Sequence, residues 1–228
     1  MVSAMEILWL EITDDADLWR ELGFSVSDDP AGWGSCVING IEHRLVGSPT
    51  AEPATSDQPR GVRGWGVRGV DPSVTDIDGI PTTVANDTEP KPSTDHPNGV
   101  FRIDHLVVRT SSTPRTMAAL AAVGLESRGQ RATNSAGTSV DMRFAWAGDT
   151  LLEVAGPPDP VDDGRPAALA GIAYATADLD AAATQLGDRC TIPVDAVQPG
   201  RRITAVRAEV GSTVPIAFMT PHVRATGS

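Results

Sequence analysis

Two ionisable side chains stand in the middle of strand-like segments within one short stretch of the chain: His105 in FRIDHLVVRT and Glu153 in DTLLEVAGP. Imidazole nitrogen and carboxylate oxygen are good ligands for Zn, Ni, Fe or Mn, and a catalytic centre needs about three protein ligands plus an open position. A metal held there would polarise a substrate oxygen while a carboxylate moves a proton, which makes Glu153 the candidate catalytic base. The bland alternative is a strand histidine hydrogen-bonded within a pocket, with Glu153 as a polar pocket group.

These side chains need elements to aim them. In the first segment β-branched and apolar residues dominate, and alternation predicts Ile103, His105 and Val107 on one face and Asp104, Leu106 and Val108 on the other. A helix is predicted next, with Thr113 as N-cap, Pro114 at its first position and Gly124 closing it; Met117, Leu120 and Ala121 share a face. Two strands joined across Gly148 and Asp149 follow, the second placing Leu151, Glu153 and Ala155 on one side. The unit reads β-α-β-β-β.

That order recurs. Residues 5 to 47 read as a strand (MEILWLEIT), a helix (ADLWREL) stopping at Gly23, and short strands with Gly and Asn turns. After a Pro- and Ser-rich stretch from Ser48 to Gly61, residues 64 to 84 read as a reduced copy with a helical turn over Pro72 to Ile77. The polar run 86–99 marks the main boundary. Beyond a second linker (157–166) come the strand GIAYAT, a helix with Leu179, Ala182, Ala183 and Leu186 on one face, and three further strands. ELGFSV, AVGLES and QLGDRC each end a helix and re-enter extended chain through glycine. Repetition at about 50 residues is the firmest organisational signal. The expected domains are 1–85, one or two diverged modules; 86–100, a linker; and 101–228, a pair of modules at 101–157 and 167–221.

A chain of 228 residues can bury roughly 70% of its unfolded surface. A net charge of −12 argues against nucleic acid as a partner, since phosphate contacts need a clustered basic face and Arg201-Arg202 is the only adjacent basic pair. Cys36 and Cys190 do not make a secreted disulfide scaffold, and free thiols in a reducing cytosol are the simpler reading. MVSAMEILWLEITDD lacks a basic leader region, and no apolar run approaches the ~18 residues of a membrane span. The expectation is a cytoplasmic protein, monomer or homodimer, whose partner is a small molecule. A single lysine, Lys91, among abundant Ala, Gly, Pro and Arg points to a GC-rich, bacterial source.

IDHLVV, then a helix, Gly-Leu, and the closing LLEVAGP resemble a module of the vicinal oxygen chelate superfamily, which includes glyoxalase I, bleomycin-resistance proteins and extradiol dioxygenases. The resemblance implies an α+β fold of tandem βαβββ modules pairing into curled, cup-shaped mixed sheets around a small ligand. In metal-using members the first and last strands of each paired module offer a His and a Glu. His105 and Glu153 match those positions, so the resemblance implies one divalent metal on His105 and Glu153. The partner module departs from the pattern: Ala173 stands where a His would fall, and Val214 to Thr220 contains no carboxylate. The amino-terminal module has Trp9 and Arg44 at the equivalent places, and His43, Glu42 and His222 lie at no matching position. Two functions follow: metal-assisted lyase, isomerase or dioxygenase chemistry, or metal-free binding and sequestration of a small molecule, as bleomycin-resistance members imply.

Trp146 and Tyr174 are the expected ligand-binding aromatics, because equivalent strands of the family line cups. Gly64, Gly66 and Gly69 match G-x-G-x-x-G but lack the full helix a pyrophosphate cradle needs, so no nucleotide cofactor is expected.

Overall fold

The computed structural model describes residues 5–47, 61–135, 138–161 and 163–221. His222 lies outside them. The first module is β1 (Glu6–Ile12), α1 (Ala16–Glu21), β2 (Ser27–Asp28), β3 (Gly34–Ile38) and β4 (Ile41–Leu45). The second is β5 (Val62–Arg68), β6 (Asp76–Ile77) and β7 (Ile80–Val84). The helical turn expected over Pro72 to Ile77 is absent: the Asp71 carboxylate accepts from Ser73 N at 2.9 Å, a local turn that competes with helix, and the chain enters β6 directly. The third module is β8 (Val100–Arg109), α2 (Thr113–Ala122), β9 (Ser127–Ser135), β10 (Thr138–Ala147) and β11 (Thr150–Gly156). The fourth is β12 (Ala168–Thr176), α3 (Leu179–Leu186), β13 (Val194–Asp195), β14 (Arg202–Ala205) and β15 (Ile216–Met219).

Each module's first strand runs parallel to its last: β1 with β4, β5 with β7, β8 with β11, β12 with β15. First strands then pair antiparallel, β1 with β5 and β8 with β12, which fuses modules two by two. One bridge, Leu169 to Val62, joins the two pairs into a continuous sheet. The architecture is the α+β arrangement of curled mixed sheets that the resemblance implies.

The helices bury short apolar stripes against the sheet: Met117 and Leu120 from α2, Leu179, Ala182 and Leu186 from α3. Ser112, not Thr113, is the N-cap residue of α2, while Asp178 caps α3 by accepting from Asp180 N and Ala181 N. Between the two pairs sits an aromatic cluster of Trp19, Phe24, Tyr174 and Phe218, with Trp19 and Phe24 centroids 4.8 Å apart and Phe24 and Phe218 5.9 Å apart. Asp14, 2% exposed, ties the pairs with hydrogen bonds: it accepts from Trp19 Nε1 at 3.0 Å, Ser212 Oγ at 2.7 Å and Thr213 N at 2.6 Å. Cys36 and Cys190 are both free and buried. No helix among the described residues is long and apolar enough to cross a membrane.

Candidate functional site

β8 is not a plain alternating strand. Ala173 faces His105 and Tyr174 faces Ile103, so Asp104 is an extra residue with no partner, a β-bulge. The bulge overturns the expected alternation. Ile103 turns to the buried core with Leu106 and Val108, while His105 turns to the opposite, concave face with Ala173. Asp104 is freed to reach its neighbour: His105 Nδ1 lies 3.0 Å from Asp104 Oδ2.

The same carboxylate receives the Arg201 guanidinium two-pronged, Nη2 to Oδ1 at 2.6 Å and Nη1 to Oδ2 at 3.2 Å, with both side chains 4% exposed. Burial opposes ionisation of Asp104, but the hydrogen bonds from His105 and Arg201 outweigh it and hold the carboxyl well below its usual range. An ionised Asp104 accepts, so Nδ1 of His105 carries a proton. Nε2 makes no hydrogen bond among the described residues. Arg201 also donates from Nε and Nη2 to Thr220 O, at 2.9 and 2.7 Å, so the turn between β13 and β14 is clamped to β15 and β8.

Strand register gives a direct test of whether the residues fit a metal. The row through His105 reads Leu151 on β11, His105 on β8, Ala173 on β12 and Ala217 on β15. It contains one ligand. Glu153 sits one row along, opposite Val107, and Val107 pairs with Gly171 on β12. No group of three His, Cys, Asp or Glu suited to a metal exists among the described residues. Two donors in different rows fall short of the three a catalytic centre needs. The expected divalent metal on His105 and Glu153 does not fit this donor set.

Glu153 instead lines a cavity of about 610 Å³ on the concave face of β8 to β11, with Val107, Arg131, Met142, Ala155 and Pro157. Val197, from the clamped β13–β14 turn, closes one side. Burial pushes the Glu153 carboxyl up, although His105 and Arg131 nearby favour its charged form and Asp104 disfavours it. Arg131 is the residue that the sequence pattern hides. β9, SRGQRATNS, has no apolar alternation and gives no strand signal, yet Arg131 pairs with Met142 and so shares the cavity face.

Trp146 lies opposite Leu151, hence on the face of His105 and Glu153, but it is 43% exposed and stands outside the cavity wall. Tyr174 is not a cup residue. One position beyond Ala173, across the bulge, it points into the core and is completely buried among Trp19, Phe24, His43 and Phe218. Its hydroxyl has no hydrogen-bond partner among the described residues. Burial raises its pKa well above the usual phenol value.

The equivalent face of the amino-terminal pair is filled by its own side chains. Arg44 lies 3.9 Å over the Trp9 ring, and Glu42 accepts from Lys91 Nζ at 2.6 Å, Ser35 Oγ at 2.6 Å and Arg44 Nε at 3.0 Å. A Cβ on Gly66 would fall 2.0 Å from Trp9 Cε2, so this glycine of the G-x-G-x-x-G match makes room for an indole. Gly64 and Gly66 are strand residues.

No family model matches the chain, and no curated protein matches it. Solved structures do. A mutant 4-hydroxymandelate synthase from Streptomyces coelicolor superposes with a TM-score of 0.67 over 99% of this chain and 95% of that one, at 12% identity. A fusion of a xylose isomerase-like TIM barrel with 4-hydroxyphenylpyruvate dioxygenase superposes at 0.64 over 100% of this chain and 50% of its own length, at 10% identity. Identity this low speaks to fold alone, and the superposition spans all four modules. The chain therefore has the fold of the vicinal oxygen chelate superfamily, with four modules paired two by two and an open cup in the carboxyl-terminal pair.

Proposed function

We propose that the carboxyl-terminal pair binds a small molecule in its cup without a resident metal ion, as a binding or sequestration protein. The observation that carries this reading is the row Leu151, His105, Ala173, Ala217, which supplies a single donor where a metal would need several. The cavity beside it is of small-molecule size and mostly apolar, with a few polar groups converging on it. The test is metal content by mass spectrometry after incubation with Zn, Ni, Mn and Fe(II), alongside His105→Ala and Glu153→Ala. Far less than one metal per chain is expected. Near-stoichiometric metal lost in both variants would overturn the reading and restore a metal-assisted lyase, isomerase or dioxygenase.

A second reading, metal-free proton transfer on the bound molecule, is favoured by the Asp104–His105 pair with its free Nε2 and by Glu153 in the cavity wall. Wash-in of solvent deuterium at an acidic carbon of a bound ligand, lost in His105→Gln and Glu153→Gln, would support it over pure binding.

A further inference from the structure

Arginines in this chain generally find acids. Arg115 meets Asp78 at 2.7 Å, Arg143 meets Asp141 at 3.0 Å, Arg68 meets Glu6 at 2.7 Å and Arg201 meets Asp104. With 30 acidic against 18 basic residues, counter-charges are in surplus. Arg131 and Arg109 break the pattern. Both line the 610 Å³ cavity, and neither forms an ion pair among the described residues. Arg131 Nε is buried without a hydrogen-bond partner, and its Nη2 reaches only the Met142 sulfur, at 4.0 Å. Its guanidinium lies 5.9 Å from the Phe144 ring centroid. Glu153 is the one carboxylate in the described wall and makes no ion pair with either arginine.

A guanidinium turned from water into an apolar wall is costly unless an anion meets it, and its planar fork matches a delocalised oxyanion. Two arginines against one carboxylate leave the wall cationic in a strongly acidic protein, so the missing counter-charge belongs to whatever enters. The rest of the wall offers no further charge: Thr110, Thr133 and Ser139 add hydroxyls, and the apolar residues, Val107, Met142, Ala155, Pro157 and Val197 among them, suit a hydrocarbon body.

Resting on the reading of the cup as a small-molecule site, we infer that its ligand is a small organic monoanion with an apolar body, the anionic head on Arg131 and the body against Val107, Met142 and Val197. Arg109, at the exposed rim, draws the anion in.

Calorimetric titration in chelator with octanoate, octanesulfonate and uncharged octan-1-ol tests the inference, on the full chain and on Arg131→Gln. The expected result is octanoate or octanesulfonate bound at least tenfold more tightly than octan-1-ol. That ratio falls toward one in Arg131→Gln while the affinity for octan-1-ol holds, which also shows the variant's cup intact. Equal binding of anion and alcohol by the unaltered chain, or a ratio unchanged in Arg131→Gln, overturns the monoanion. A preference for octanoate over octanesulfonate assigns carboxylate geometry, and equal affinity assigns the delocalised charge. Failure of all three probes to bind, or undiminished binding to Val107→Trp, whose cup is filled, overturns the cup reading itself.

Discussion

Tyr174 and His43 face each other inside the protein with ring centroids 5.8 Å apart, and Tyr174 Oη and His43 Nε2 both lack partners among the described residues. An unsatisfied buried hydroxyl is a liability, so Tyr174→Phe is expected to be neutral or to stabilise by up to about 1–3 kcal/mol in urea unfolding while leaving ligand affinity in the cup unchanged. A loss of affinity in that variant would return Tyr174 to the site. His43 carries a pH signature. Burial pushes its pKa down to about 4, below the ordinary histidine value, so the unfolded chain binds the extra proton first. Its contribution is complete above about pH 6.5 and is lost as pH falls toward 4, by roughly 3 kcal/mol. Burial shifts His96 the same way and adds to that window. Urea midpoints measured from pH 7 to 4.5 should fall steeply in the unaltered chain and less steeply in His43→Leu; parallel slopes would sink the assignment.

Among the elements, the decisive one is the bulge in β8. One unpaired residue turns a strand that would have aimed Ile103 and His105 together into one that sends them to opposite faces, and it gives Arg201 a buried carboxylate to clamp. Removing one partner strands the other charge, at a cost of about 3–5 kcal/mol. Arg201→Met is therefore expected to lose that much stability and to loosen the β13–β14 turn that carries Val197. The double variant Asp104→Asn with Arg201→Met should recover part of the loss, since no uncompensated charge remains. Additive losses in a double-mutant cycle would show that the clamp is not a coupled pair.

Across the whole molecule, the pairs are joined by more than the single bridge from Leu169 to Val62. Asp14 holds the β14–β15 connection, Asp78 holds Arg115 of α2, and Trp19 and Phe24 cover Tyr174 and Phe218. A fragment of residues 101–228 would expose that aromatic cluster, and it is expected to bind a hydrophobic dye and to melt well below the full chain. A fragment as stable as the whole, with an equally sharp transition, would make the amino-terminal pair a passenger.

The repeat was legible in the sequence because each module must bury a helix stripe against strands, and that demand writes itself as apolar periodicity closed by Gly23, Gly124 and Gly187. So was the absence of a histidine at Ala173, where the resemblance places one, since a missing ligand type is visible in a list of residues. Residue pattern alone carries the modules and their order, and set beside the family's pattern it carries the poverty of the ligand set. Tertiary structure alone decided which side chains share a face. A bulge shifts facing by one residue without altering composition, so nothing in IDHLVV or GIAYAT separates Ala173 in the cup from Tyr174 in the core. Arg131 was hidden for a related reason: a polar edge strand forming the wall of a cup has no apolar alternation to declare it. The filling of the amino-terminal face by Trp9, Arg44 and Glu42 likewise depends on strands brought together from distant parts of the chain, and only their packing leaves the carboxyl-terminal cup open.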